Sequence, residues 1–282
     1  QNSSQRTGSY RLIIQLKDEG NIAWGRMESV FVLKDATTTA QWSLTEDELK
    51  YPPAAPSGLH VTERTTSSVT IQWTDNATVE EEFAIERKTG SGGTYGEIAR
   101  VEMDSSFYTD ESVTEGETYY YQVKAVNAWG GSNYAAEVSA LVPVTHTIDN
   151  GIISSNTSWT SDKVYVITTN VLIQSGATLT IQAGTRIEFA GGTYMRIEGE
   201  LIAQGTSSEK ITFTSNQTSP ASGDWDRIEF AESAVDATVD ANDNYLSGSI
   251  LEHCVVEYGY GIDITDCFPF ISSFTVSDCY RS

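Results

Sequence analysis

Short stretches in which apolar and polar residues alternate recur along the chain, separated by turn-forming residues. Such alternation is typical of half-buried β-strands, and no long stretch has the 3.6-residue period of an amphipathic helix. In two of the strands the alternation also predicts which side chains point inward. These residues are Val69, Ile71 and Trp73 in one strand, and Tyr119, Tyr121, Val123 and Ala125 in the other. The pattern predicts an all-β fold.

The first 56 residues predict a small β segment and a stiff linker. Strands are expected at 10–16 and 27–33, joined by a turn around 18–21. Because two strands cannot bury a stable core alone, residues 1–50 are interpreted as a partial β module that completes another domain or packs on its neighbour. Residues 51–56 are half proline, which predicts a linker.

From residue 144 onward the pattern changes to very short apolar strands with glycine between them. Aligning Val256 with Val276 gives a repeat of twenty residues, which is close to one coil of a β-solenoid. Residues 144–282 are therefore predicted to be solenoid coils, incomplete at the C-terminus. Eight of their strands are expected at 164–167, 171–173, 178–181, 186–189, 195–197, 201–203, 210–213 and 227–230.

Residues 57–143 resemble a fibronectin type III domain. The resemblance is carried by a Pro-x-x-Leu start that ends at Leu59, by Trp73 in the second strand, and by the Gly-x-Thr-Tyr-x-Tyr-x-Val-x-Ala-x-Asn pattern of 116–127. It implies a β-sandwich in which the hydroxyl of Tyr119 is hydrogen-bonded back to the backbone. The loop 128–132 contains no Arg-Gly-Asp, so integrin binding of the animal kind is unsupported.

The order and spacing of 175–185, 197–206, 211–215, 223–228 and 249–254 resemble the start of a right-handed parallel β-helix of the pectate-lyase-like superfold, as found in bacterial surface and secreted proteins. That superfold hosts polysaccharide hydrolases, whose chemistry needs converging carboxylates, and lyases, which need a basic residue to take the proton and usually calcium on clustered aspartates. No adjacent Asp-Asp pair occurs here, and Arg227 and Lys210 are interpreted as outward residues that balance Glu188 and Glu229. We therefore assign no catalytic residue and favour a non-catalytic role for this span.

Charge and cysteine content limit the possible partners and the cellular location of the chain. With 39 acidic and 17 basic side chains the net charge is −22, which argues against a nucleic-acid partner. No apolar run approaches the roughly 18 residues of a membrane span. Cys254, Cys267 and Cys279 form no CxxC pair, so they are expected to be buried free thiols rather than metal or redox groups. Together with the resemblances, these features predict an extracellular or bacterial cell-surface location.

Two groups of residues are candidates for ligand contact. Trp129, in a glycine-rich loop, and the nearby Tyr134 could stack on sugars. Asp236, Asp240 and Asp243, in an acidic stretch, could supply oxygen ligands to Ca²⁺; no other cofactor is expected. A second acidic loop, 75–82, is interpreted as solvated charge, and Trp159 and Trp225 are interpreted as packing residues.

The sequence thus predicts a non-catalytic surface or secreted interaction protein. Its β-helix face would bind an extracellular polysaccharide or a surface protein, and the sandwich would act as a spacer. One alternative is an accessory region of a polysaccharide-degrading enzyme whose catalytic coils lie beyond residue 282. Another is a structural filament or surface-layer component that self-associates through the open end of the β-helix.

Overall fold

The computed structural model describes residues 51–280 in full and the backbone of two strands before them. These strands, β1 (Gly8–Asp18) and β2 (Asn21–Val32), form an antiparallel hairpin that runs from the Gly8–Val32 pair to the Asp18–Asn21 pair. The hairpin confirms both strands expected in the first block. The other predictions for residues 1–50, and those for 281 and 282, lie outside the described residues.

The next eight strands form a β-sandwich. Its first sheet has the order β3-β4-β7, and its second has the order β10-β8-β5-β6 with β9 paired to β8. All pairings within these sheets are antiparallel. The strands are β3 (Ser57–Arg64), β4 (Val69–Thr74), β5 (Glu82–Thr89), β6 (Gly96–Glu102), β7 (Phe107–Asp110), β8 (Thr118–Asn127), β9 (Gly130–Gly131) and β10 (Val138–Leu141).

The sandwich core contains the side chains that the alternation predicted to point inward. All seven are buried, with no more than 5% of any of them exposed, and Trp73 packs on Phe83 with ring centroids 5.5 Å apart. The Tyr119 hydroxyl accepts a hydrogen bond from the backbone N–H of Thr114 at 3.2 Å. This contact confirms the backbone bond that the fibronectin type III resemblance implied.

All but two of the remaining strands build a parallel β-solenoid of about six turns. Three sheets run along it in the orders β11-β14-β17-β20-β25-β28, β12-β15-β18-β21-β26 and β13-β16-β19-β24-β27. The strands are β11 (Val144–Ile148), β12 (Ile152–Ile153), β13 (Thr157–Trp159), β14 (Lys163–Ile167), β15 (Val171–Ile173), β16 (Thr178–Ile181), β17 (Arg186–Phe189), β18 (Met195–Ile197), β19 (Glu200–Gln204), β20 (Ile211–Ser215), β21 (Arg227–Phe230), β22 (Thr238–Val239), β23 (Tyr245–Ser247), β24 (Ile250–Glu252), β25 (Cys254–Glu257), β26 (Gly261–Ile264), β27 (Phe270–Ser272) and β28 (Thr275–Ser277).

The coil length is close to the predicted repeat in the first and last coils and is longer between them. Val256 pairs with Val276, as the twenty-residue repeat requires. Between Ile211 and its partner Cys254 the chain is longer, because the antiparallel hairpin β22–β23 protrudes from this coil. The acidic stretch that contains Asp236, Asp240 and Asp243 forms part of this insertion.

Aromatic side chains fill the solenoid interior, as expected for Trp159 and Trp225. Trp225 is completely buried, stacks on Phe189 with centroids 4.2 Å apart, and donates its indole N–H to the Glu257 carbonyl. Trp159 stacks on Tyr165 at 4.6 Å. Continuous apolar stacking inside the coils is what stabilises a solenoid.

All three cysteines are free. Cys254 and Cys267 are buried as predicted, whereas Cys279, close to the last described coil, is only partly buried.

The sandwich joins the solenoid at Pro143, and backbone hydrogen bonds hold the residues on both sides of it. The backbone N–H of Val142 donates to Glu117 in the sandwich, and two residues later that of Val144 donates to Asp162 in the solenoid. The Thr145 hydroxyl donates to the Glu115 carboxylate at 2.9 Å across the junction. Backbone bonds on both sides of Pro143 therefore fix this connection.

Candidate functional site

The Trp129 loop is a short hairpin at one end of the sandwich. β8 turns back into β9 here, with Val126 paired to Gly131 and Asn127 to Gly130. The Asn127 side-chain oxygen accepts the backbone N–H of Trp129 at 2.8 Å. Its amide donates to the Tyr51 and Val79 carbonyls, both at 3.0 Å. The hairpin is thus fixed to the 51–56 segment and to the β4–β5 loop.

The two aromatic residues of this region differ in how they are held. Trp129 is 51% exposed at the hairpin tip, so a large part of its indole is accessible. Tyr134 is 37% exposed, and its hydroxyl donates to Glu86 and accepts from Lys124. The Lys124 ammonium also lies 4.6 Å from the centre of the Tyr134 ring. Tyr134 is therefore orientated by charged neighbours, which leaves Trp129 as the more accessible stacking surface.

Among the described residues, the three aspartates proposed for calcium belong to no group of three metal-ligand atoms that lie within 4.8 Å of one another. Asp240 accepts the backbone N–H groups of Asn242 and Asn244 at 2.8 and 2.9 Å, which closes the turn of the β22–β23 hairpin. Asp236 accepts the backbone N–H of Phe268 in the next coil at 2.8 Å. Asp243 is exposed in a left-handed conformation, with φ of 62°. The carboxylates of Asp236 and Asp240 thus accept hydrogen bonds from backbone N–H groups. The assignment of calcium to this loop stays a prediction.

A different group of carboxylates does converge, in the acidic loop that the sequence analysis interpreted as solvated charge. Ligand atoms of Asp75, Glu80 and Asp104 all lie within 4.8 Å of one another, and no other such acidic, His or Cys group occurs among the described residues. Glu80 is only 7% exposed, so the solvated interpretation of this residue is wrong. Alternation could not reveal this burial, because it arises where two loops distant in sequence meet.

The outer face of the solenoid carries a ladder of paired charges. Arg196 donates to Glu198 at 3.0 Å and also to Glu229, while Arg227 donates to Glu229 at 3.2 Å. This contact confirms that the charge of Arg227 is balanced by Glu229. Glu188 pairs with Arg186 at 2.8 Å, which corrects the expected pairing of Glu188 with Arg227 or Lys210. Lys210 instead lines the cleft between the two modules.

This cleft is polar and open. It has a volume of about 640 Å³ and lies between β3 of the sandwich and β17 and β20 of the solenoid. Arg186 spans it, donating to Glu63 at 3.4 Å. The guanidinium group also pairs with Glu188, so the charge of Arg186 is already compensated by the protein. The cleft therefore has the character of a module interface.

Comparison with known families agrees with both architectures. Residues 54–140 match the fibronectin type III domain family, and residues 151–251 match the family described as a pectate-lyase-like beta helix domain. The chain is thus an all-β modular protein that carries a fibronectin type III domain followed by a pectate-lyase-like parallel β-helix. Domains of both kinds are commonly extracellular and fit an extracellular or surface protein.

Solved structures similar to this chain match over a part of it. An Fn3-like protein from Clostridium thermocellum is 32% identical over 33% of this chain and 97% of its own, with a TM-score of 0.29. The twitchin kinase region from C. elegans is 20% identical over 33% of this chain, with a TM-score of 0.30; the match spans 17% of the twitchin region. No curated protein matches the chain. Within the described residues, no helix is long and apolar enough to cross a membrane.

Proposed function

We propose that the chain is a non-catalytic extracellular or cell-surface binding protein that recognises a polysaccharide through the Trp129 hairpin. The observation that carries this proposal is a half-exposed indole on a backbone fixed by Asn127 and by pairing with β8. Aromatic rings stack on the apolar C–H faces of sugars, and a ring held in advance loses little conformational entropy on binding.

The charge of the molecule argues against nucleic acids and other strongly anionic polymers as the ligand. A net charge of −22 repels nucleic acids and strongly anionic surfaces. The outer ladder of the solenoid is a less favourable contact surface, because its arginines already pair with Glu198, Glu229 and Asp226. A ligand there would have to replace those pairs. We therefore place the contact on the sandwich, with the solenoid as its stiff support.

The test is a glycan microarray probed with the wild-type chain and two variants, with calcium and with chelator. We expect the wild type to bind one class of polysaccharide, and Trp129→Ala to weaken binding at least tenfold. Phe107→Ala is the matched control, since Phe107 is an aromatic residue 62% exposed on the other sheet of the same sandwich. An array without wild-type binding, or equal binding by Trp129→Ala, would overturn the proposal. An accessory region of a polysaccharide-degrading enzyme would use the same surface.

A second candidate is self-association of this 282-residue span, supported by the exposed apolar side chains of its last described coils. These are Ile264, Phe268, Ile271, Val276 and Tyr280, of which Phe268 is 73% exposed. They lie on or near β26, β27 and β28, the last strands of the three sheets. Stacking of a second copy there predicts sedimentation that depends on concentration and is abolished by Phe268→Glu. Sedimentation as a monomer at all concentrations would exclude this candidate.

A further inference from the structure

We propose that Asp75, Glu80 and Asp104 form a binding site for a divalent cation, with the ligand chemistry of Ca²⁺. The site lies at the end of the sandwich. Asp75 directly follows β4, Glu80 precedes β5, and Asp104 lies in the turn between β6 and β7. Their ligand atoms lie within 4.8 Å of one another, so a single ion between them could contact all three carboxylates.

Local structure fixes each of the three positions. The backbone N–H of Trp73 donates to Ser106 at 2.9 Å, which holds the end of β4 against the β6–β7 turn. The backbone N–H of Glu81 donates to Val126 at 2.8 Å and so anchors the residue next to Glu80. Asp104 adopts a left-handed conformation, with φ of 61°, that aspartate tolerates better than most residues. The cluster is therefore built by the sandwich framework.

The independent observation that points to a ligand is the burial of the Glu80 carboxylate and the lack of a partner for one of its oxygens among the described residues. Its side chain is more than nine-tenths buried, and its Oε2 atom is shielded from solvent without a hydrogen-bond partner among the described residues. The other oxygen accepts only a long bond, 3.4 Å, from the backbone N–H of Asp104. A buried carboxylate oxygen without a partner is unfavourable unless another group compensates it. A cation held between Glu80, Asp75 and Asp104 would supply that compensation.

The donor set determines the class of cation. All three residues offer carboxylate oxygens, and neither nitrogen nor sulfur ligands belong to the group. Hard cations such as Ca²⁺ prefer this set, whereas Zn²⁺ and Cu²⁺ sites usually include histidine or cysteine. Three carboxylates this close also repel one another, and a dication would remove most of that repulsion. One carboxylate oxygen of Asp75 accepts a hydrogen bond from the backbone N–H of Ala77, so the second oxygen can face the ion.

This site is separate from the acidic stretch that contains Asp236, Asp240 and Asp243, and it does not depend on glycan binding. It lies close in space to the Trp129 hairpin, because the Val79 carbonyl, next to Glu80, accepts a hydrogen bond from the Asn127 side-chain amide.

The test is calcium titration of the metal-free chain by isothermal titration calorimetry, with thermal unfolding measured in parallel. Extracellular modules bind Ca²⁺ with Kd values of roughly 10⁻⁴–10⁻³ M, so we expect one site in that range and a higher Tm at about 10 mM CaCl₂. Asp104→Asn should weaken binding at least tenfold, because it removes a ligand charge while asparagine tolerates the same backbone conformation. Glu80→Gln should abolish the calcium-dependent rise in Tm.

Asp278→Asn is the matched control, since Asp278 is also an exposed left-handed aspartate, with φ of 52°, and belongs to neither candidate calcium group. It should leave both calcium affinity and Tm rise unchanged. Circular dichroism of each variant without calcium checks that the fold is retained. Loss of binding in Asp243→Asn but not in Asp104→Asn would place the ion in the β22–β23 insertion and overturn the proposal. Absence of both heat and a Tm shift at about 10 mM CaCl₂ would overturn it as well.

Discussion

At the scale of single residues, the sandwich stabilises the buried carboxylate of Asp110 through several hydrogen bonds. Asp110 is 1% exposed at the end of β7, and it accepts hydrogen bonds from Arg87, from the Tyr121 hydroxyl and from Ser112. Burial raises the pKa of Asp110, but the bonds from Ser112, Arg87 and Tyr121 outweigh burial and hold the pKa below its ordinary value. The buried charge is therefore fully compensated.

The lowered pKa gives the first prediction. A carboxyl whose pKa is lower in the folded state adds stability above its unfolded pKa of about 3.9, and this stability is lost as the pH falls through the folded pKa. Asp110→Asn should lower the free energy of unfolding at pH 7 by about 2–4 kcal/mol, because Arg87 loses its partner. It should also remove part of the loss of stability below about pH 4.

Urea unfolding at pH 7 and pH 3, followed by circular dichroism, measures both effects of Asp110→Asn. Glu111→Gln is the control, since Glu111 is the exposed neighbour of Asp110. Equal pH dependence in Asp110→Asn and wild type would show that Asp110 is not responsible.

Thiol reactivity gives a second prediction at this scale. Burial raises the pKa of the Cys254 thiol to about 12, and its S–H group donates to the Ala203 carbonyl inside the solenoid. Cys279 is only partly buried. We expect a disulfide reagent at pH 8 to modify Cys279 first and Cys254 only after unfolding, because the thiolate is the reactive form. Mass spectrometry locates the modified residue, and rapid labelling of Cys254 in the native chain would contradict this account.

At the scale of elements, most strands could be predicted from the sequence. Alternation or short apolar runs revealed β4 and β8 in the sandwich and β14 to β21 in the solenoid, because each presents a clear apolar face. Ten strands were missed, namely β6, β7, β9 to β13, β22, β23 and β26. Two-residue strands such as β12 and β22 are too short to show alternation, and neighbouring strands hold them in register.

Candidate sites were less predictable than strands. The exposure of Trp129 could be predicted from its glycine-rich loop, and the structure confirms that exposure. The burial of Glu80 could not, because Glu80 and Asp104 are 24 residues apart and meet only through the pairing of β5 with β6. A run of acidic residues looks solvated when tertiary contacts are unknown.

Packing of one coil on the next gives a prediction for Gly259. A Cβ atom at this position would lie 2.6 Å from Cε2 of Trp225, and this buried indole is stacked on Phe189. Gly259→Ala should therefore lower the free energy of unfolding by about 1–3 kcal/mol through overpacking. Gly191→Ala is the control, since its nearest neighbour would be a backbone oxygen at 3.7 Å. Thermal unfolding compares the two variants, and equal Tm values would show that the Trp225 contact relaxes without cost.

At the scale of the whole molecule, the sandwich and solenoid are joined by backbone bonds around Pro143 and by the Glu63–Arg186 pair. Because Glu63 is exposed, its ion pair with Arg186 contributes at most about 1 kcal/mol to the free energy of unfolding. The backbone bonds therefore contribute most to the connection. The expected domain limits of 57–143 and 144–282 remain predictions, and limited proteolysis can test them. The backbone bonds around Pro143 hold the sandwich, which carries the Trp129 hairpin, against the first coil of the solenoid.

The most direct test of the proposed function is hydrogen–deuterium exchange of the chain with and without the polysaccharide that binds best on the array. The account predicts that ligand slows exchange in the 127–134 peptide, around the hairpin that carries Trp129. It also predicts that exchange in the solenoid peptides with Arg196, Arg227 and Glu229 is unchanged. Slower exchange along the solenoid face, with none at the hairpin, would contradict the account and place recognition on the β-helix.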